Sequence, residues 1–487
     1  MFKMVIRCDI LINMLYIAKG INIRPELIGL MGSNVNSERL TSTHWKWIGT
    51  SIVTYTFDLY DLFTILLVTP FISALFFPSA LPILSLVGTY ASFGIAFVTR
   101  PFGAAYFGIL GDKVGRRRAV IYGALGLVVT ATLLAALPTY EMVGVLAPAL
   151  LIAIRLAEGF FVGGLAAGSH TIGPENVPER YRGLVGGFVW MTAGLAYLIA
   201  AGWFLLTAIL YPGSAYLTWG WRVMFLSGLF PLAIILFVNY IVPESEIWNT
   251  AKRRAKEAVS PLRTIWRHYR RQFAYAAMIT GGWAFSYYLT QGLFPSFLLN
   301  VNHLSRIEMS YAMMVASVGM MIGPVLGGEI SQHIGRKWLS MIAGILNIVV
   351  SGPMFYYLLP KATGFGNIAL YVFVISFLSG FGSGMVVAYL NESYPTLIRA
   401  TGAAFTWNVA FAVGGMAPTI ATSIMAAAGG LKSFPLVMME LTIAIGIWIT
   451  IASLVAPETK GFISKERAAM ASQEGGSAGG GIKPSEQ

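Results

Sequence analysis

Gly108-Ile109-Leu110-Gly111-Asp112-Lys113-Val114-Gly115-Arg116-Arg117 decides how this chain folds, because its outline returns as Gly328-Glu329-Ile330-Ser331-Gln332-His333-Ile334-Gly335-Arg336-Lys337. Two further marks follow in the same order. Glu175-x-x-Pro178-x-x-x-Arg182 is matched by Glu392-x-x-Pro395-x-x-x-Arg399, and Pro243-Glu244 by Pro457-Glu458. The offsets are 220, 217 and 214 residues. Three ordered repeats in an apolar chain indicate a duplicated membrane bundle. Many secondary transporters are built this way, with substrate held at the interface between repeats.

Composition agrees. Of 487 residues, 56% are hydrophobic, 11% are charged and 53 are glycine, which excludes a soluble globular domain. Twelve apolar runs, each near the ~20 residues that cross a bilayer, are predicted at 47–73, 83–108, 118–137, 145–170, 183–210, 222–242, 273–298, 309–331, 338–359, 367–390, 400–427 and 434–456. The expected fold is an all-α membrane protein with twelve transmembrane helices in two pseudo-symmetric six-helix bundles. The bundles are expected at 45–242 and 273–456, joined by a basic linker at 243–272, with tails at 1–44 and 457–487.

The net charge of +12 does not mark a nucleic-acid surface. Of 33 Lys and Arg, 27 fall in the tails and in the loops after even-numbered helices. Positive charge marks the cytoplasmic side, so a multi-pass protein of the cell membrane with both termini inside is expected. The linker, with Lys252, Arg253, Arg254, Lys256, Arg263, Arg267, Arg270 and Arg271, reads as a solvated tether or a helix on anionic lipid. The patterned chain begins near Trp45, which suggests translation from Met31. Cys8 is the single cysteine and the five histidines are scattered, so neither an intrachain disulfide nor a metal site is expected. No cofactor is implied.

The run Arg100-Pro101-x-Gly103-Ala104-x-x-x-Gly108-x-x-Gly111-Asp112-x-x-Gly115-Arg116-Arg117 resembles the loop 2–3 signature of the major facilitator superfamily, in the form of its metabolite–proton symporters. Further motifs are similar to its lactate and sialate permease branch. They are Phe57-Asp58-x-Tyr60-Asp61, Arg155-x-x-Glu158-Gly159, Gly220-Trp221-Arg222, and Thr290-Gln291-Gly292-x-Phe294-Pro295. The branch has a histidine and a Gln-Asp pair where this chain has Tyr288 and Gln291-Gly292. The resemblance runs from about Trp45 to Gly461 and implies a monomeric proton-coupled carrier of organic acids, working by alternating access.

A charge at bilayer depth costs at least ~2.5–3.5 kcal/mol, so every ionisable residue inside an apolar run is a candidate. Asp58 and Asp61 are one helical turn apart, and two carboxylates in a low-dielectric site suit proton coupling, with Arg155 and Glu158 as partners. Arg100 offers a planar fork to a substrate carboxylate, while Tyr287, Tyr288, Gln291, Trp407 and Asn408 could line the cavity. Gating falls to Gly111, Asp112, Gly115, Arg116, Arg117, Glu175 and Arg182, and to Glu329, Arg336, Glu392 and Arg399 in the second half. Glu440 has no assigned role.

These features point to uptake of a small organic anion with protons. The alternatives are a sugar or other neutral metabolite, suggested by Pro457-Glu458-Thr459-Lys460-Gly461, a drug–proton antiporter, and a non-transporting receptor. No cluster of nucleophile, base and orienting group suggests an enzyme.

Overall fold

The computed structural model describes residues 40–114, 116–165, 177–229, 261–395 and 398–462. Gly115, Glu175 and most of the linker lie outside the described residues, and so do the side chains of Asp58, Asp112, Arg116 and Arg117.

The predicted runs are helices α1 (Ser42–Phe76), α2 (Pro82–Val114), α3 (Arg116–Ala136), α4 (Leu146–Leu165), α5 (Arg182–Leu210) and the start of α6 (Trp221–Leu226). The second half repeats them as α7 (Arg270–Asn300), α8 (Arg306–Ile334), α9 (Arg336–Leu346, continuing in altered turns to Lys361), α10 (Phe365–Ser383 and Val386–Glu392), α11 (Arg399–Gly415 and Ala417–Ala427) and α12 (Phe434–Val455). The described residues contain no strand. Those from Lys46 onward form one compact unit.

Among the described residues, nine helices are long and apolar enough to cross a membrane. Helix α7 is not one of them, although it has 31 residues. The reason is its position: every residue from Ile279 to Leu298 is buried, so α7 touches protein on all sides and carries Thr, Ser, Gln and Tyr where a lipid-facing helix carries Leu and Ile.

Local chemistry sets the ends. Ser305 and Glu308 form a reciprocal capping box that starts α8. One residue, Gly335 at φ 106°, turns α8 into α9, a conformation that L side chains rarely adopt. Pro418, without an N–H, interrupts α11 beside Met416.

Helix association in lipid relies on close backbone approach. Helices α5 and α8 cross at such a point, where a Cβ on Gly183 would overlap the Gly328 carbonyl and one on Gly187 would overlap that of Pro324. On the other side of the molecule α2 packs against α11, with Gly94 against Met416 and Thr419 and Gly415 against Phe97. These two seams join the first six helices to the last six. The membrane protein therefore has two loop ends, one marked by Gly183 and Arg336 and the other by Gly213 and Arg306.

Candidate functional site

Where the halves meet at mid-depth, aromatic side chains converge from four helices. Tyr55 and Leu59 of α1, Trp190 and Ala193 of α5, Tyr287 and Tyr288 of α7, and Phe411 of α11 line a cavity. It encloses about 10 Å³ in this conformation, space for about one water. Trp407 stacks on Phe411 at 4.3 Å and meets Trp190 at 5.4 Å and Tyr55 at 6.0 Å, so it closes the cage from behind. The indole Nε1 of Trp190 and the hydroxyl of Tyr287 are buried without a hydrogen-bond partner among the described residues. Unsatisfied donors of this kind are rare in interiors and are ready to meet a polar ligand.

Two phenylalanines of α2 form the next wall. Phe93 and Phe97 stand 5.5 and 5.3 Å from Tyr288. Behind Phe97 lies Arg100, whose guanidinium sits 4.4 Å from that ring centroid. It is 5% exposed, and its Nε and Nη2 meet no acceptor among the described residues. A buried cation without a carboxylate is costly to maintain.

Behind Phe93 lies a charged cluster. Arg155, 5.9 Å from the Phe93 centroid, pairs through Nη1 with Glu158 Oε2 on the same face of α4. The Asp61 carboxyl of α1 lies within hydrogen-bonding reach of Glu158. Both Asp61 Oδ2 and Glu158 Oε1 are buried and meet no donor among the described residues. A proton on either carboxyl would let it donate to the other. The cluster holds two carboxyls and one guanidinium, so it is neutral with one proton bound and negative without it. Glycines set α4 close against α2: a Cβ on Gly159 would overlap the Ala96 carbonyl, and one on Gly163 that of Arg100.

A second buried network occupies the Arg336 end. Arg336 forks onto Glu392, with Nε to Oε2 at 3.1 Å and Nη2 to Oε1 at 3.0 Å. It also donates to Ser331 Oγ and to Gln332 Oε1, each at 2.7 Å. Gln332 accepts the backbone N–H of Gly183 at 3.1 Å, which ties the network to the first half. Glu458 takes the backbone N–H groups of Arg336 and Lys337 at 3.0 and 3.2 Å, so it caps the positive start of α9. Thr459 donates to Glu392 at 3.2 Å.

Asp61, Arg155 and Glu158 are thus brought together, as are Tyr287, Tyr288 and Trp407. Other candidates fall elsewhere. Gln291 gives its amide to Ser376 at 2.8 Å, and Asn408 bonds its own helix at Ala404. Glu329 pairs with His333 at 3.3 Å on a half-exposed surface and is not part of the Arg336 network. Arg182 is buried at the start of α5, and Arg399 donates to the Tyr394 carbonyl at 3.1 Å. Glu175, Gly115 and the side chains of Asp58, Asp112, Arg116 and Arg117 lie outside the described residues, while Gly111 falls on the last turn of α2. Trp190, Ala193, Phe411 and the Phe93–Phe97 wall were not legible as site residues from sequence.

The model of the Major Facilitator Superfamily matches residues 53–419. The chain belongs to this superfamily of membrane transporters, which makes it a multi-pass membrane carrier rather than an enzyme. It is 32% identical over 382 residues to the inner membrane metabolite transport protein YhjE of Escherichia coli strain K12, covering 77% of this chain and 85% of that one. It is 27% identical to a glycine betaine/proline/ectoine/pipecolic acid transporter, OusA, of Dickeya dadantii, over 71% of this chain and 70% of the relative. A citrate-proton symporter of Salmonella typhi is 28% identical, with 84% and 94% covered. Among solved structures, the proton:xylose symporter XylE shares the fold with a TM-score of 0.64 at 18% identity, over 88% of this chain and 98% of that one.

Proposed function

We propose that this chain is a proton-driven symporter for a small carboxylate-bearing metabolite. The observation that carries the reading is the cluster of buried Glu158 and Arg155 with the half-buried Asp61, whose charge one proton neutralises. In a low-dielectric interior the neutral, proton-loaded cluster can cross the transport cycle more readily than the charged one. Arg100, buried and with its Nε and Nη2 meeting no acceptor among the described residues, is the group that a substrate carboxylate would complete through a bidentate contact. Phe93 and Phe97 separate the two charges from Tyr288, so a change at either reaches the cage through one layer of rings.

On this reading the Arg336 end faces the cytoplasm, in line with the charge asymmetry of the loops, and the Arg336–Glu392 fork closes it. The protein acts as a monomer in the cell membrane. Glu458 and Thr459, the acidic and hydroxyl members of the sugar-porter-like run, are engaged at the gate, so that run speaks for gating and not for a sugar. Uptake by proteoliposomes of labelled citrate, lactate, betaine and xylose, under an imposed inward proton gradient, tests the proposal. Accumulation of an acid that is lost with a protonophore supports it. Accumulation that survives the protonophore, or of xylose alone, overturns it.

A second reading concerns the other end of the substrate. Aromatic faces from Tyr55, Trp190, Tyr287, Tyr288, Trp407 and Phe411 suit an alkylated ammonium. Joined to Arg100, such a cage would select a zwitterion, and two of the relatives are named for betaine and proline. Competition by betaine against labelled lactate distinguishes a zwitterion site from a plain acid site.

A further inference from the structure

Helix α7 carries Pro295 in its interior. A proline has no N–H to give, so the carbonyl four residues earlier, that of Gln291, loses its donor within the helix. That carbonyl is not left bare. The hydroxyl of Tyr197, on α5 in the opposite half, donates to it at 3.1 Å. One residue further on, Tyr90 of α2 donates to the Gly292 carbonyl at 3.1 Å and bonds Ser296 Oγ at 2.8 Å. Both tyrosines are buried to within 1%. The side chain of Gln291 is turned away to Ser376, so only its backbone faces Tyr197. Around this point α7 is closely packed: a Cβ on Gly292 would stand 3.1 Å from Pro418 of its own half and 3.6 Å from Leu66 of α1 in the opposite half.

We propose that Tyr197 is a positioning residue of the gate at the Gly213 end. It closes that gate by satisfying the one α7 carbonyl that Pro295 orphans. The helix supplies a defect, and the opposite half supplies the donor that repairs it. When the halves part, the carbonyl passes to water, so the bond belongs to the closed state alone. Tyr197 also packs on Phe63 at 4.8 Å, and Phe63 in turn stands 6.0 Å from Tyr287 in the cavity. Closure of the gate is thereby linked to the position of a cavity ring.

A double-mutant cycle tests this without knowledge of the substrate. In a single-cysteine chain (Cys8→Ser, Leu66→Cys), the new thiol replaces a side chain that is 0% exposed beside Gly292. Its labelling rate by a membrane-impermeant maleimide, applied to each face of vesicles in turn, reports opening of this gate. Tyr197→Phe keeps the ring and leaves the Gln291 carbonyl unsatisfied only when the gate is closed, so labelling should rise about tenfold from one face. Pro295→Ala restores an N–H that can reach Gln291, so in that background Tyr197→Phe should change the rate less than twofold. Tyr90→Phe should act equally in both backgrounds, because its partners do not depend on Pro295. Pro295→Leu replaces the alanine variant if that protein does not fold. An equal effect of Tyr197→Phe with and without Pro295, or no effect in either, overturns the proposal.

Discussion

Glu392→Gln is the perturbation whose size the structure fixes best. Arg336 is 0% exposed and Glu392 1%, so the pair is fully withdrawn from solvent. Glu392 accepts two bonds from Arg336 and one from Thr459. Removing one charge of a buried pair costs about 3–5 kcal/mol, because the other charge stays uncompensated. Glutamine keeps one neutral acceptor, so about 3 kcal/mol is the expected cost. The cost falls only on the state in which Arg336 is buried, since in the open state water takes over its solvation. At 1.4 kcal/mol per tenfold, the ratio of open to closed at the Arg336 end should rise about 100-fold. Spin labels at Arg180 and His333, both exposed and on opposite sides of the α5–α8 seam, report that opening by pulsed EPR in a Cys8→Ser chain. The variant should populate a longer distance that the parent lacks, and Glu392→Leu with Arg336→Met should largely restore the short one. A distance distribution unchanged in Glu392→Gln would refute the role given to this pair.

Three further outcomes are expected. Asp61→Asn, which mimics the proton-loaded carboxyl, should still exchange substrate across vesicles yet fail to concentrate it; retained accumulation would place the proton elsewhere. Arg100→Gln should weaken carboxylate binding, measured by calorimetry, by about 2–5 kcal/mol, the loss typical of a desolvated charge contact. Gly183→Ala forces a Cβ onto the Gly328 carbonyl at the α5–α8 crossing, and should lower stability by about 1–3 kcal/mol, read as a fall in melting temperature.

Much of the fold was legible because the repeat marks sit at helix ends, where chemistry is local. Gly335 turns α8 into α9 at a positive φ, and the arginine that follows finds Glu392 from the second repeated mark. The charged members of the site were legible for a related reason: Asp61, Arg100, Arg155 and Glu158 are conspicuous in apolar runs that tolerate few charges. The aromatic members were not. On α2 alone, Phe93 and Phe97 face the cavity wall while Phe102 and Tyr106 are 66% and 53% exposed on the outer surface. Nothing in their identity or spacing separates a ring beside the cavity from one on the outer surface. Gln291 shows the opposite failure, since its polarity suggested a cavity side chain and its amide serves α10 instead. The tie between Pro295 and the Gln291 carbonyl follows from sequence, whereas the choice of Tyr197 as donor needs the packing of α5 on α7.

The central claim, that substrate moves together with a proton carried by the Asp61–Glu158–Arg155 cluster, is tested most directly by proton flux. Proteoliposomes loaded with a pH-sensitive dye, without an imposed gradient, are given an outward-to-inward step of citrate, lactate or betaine. The account predicts that at least one of these acidifies the lumen in proportion to its uptake, and that Asp61→Asn takes up the same substrate with no acidification. Uptake by the parent protein with no change in lumenal pH would contradict it.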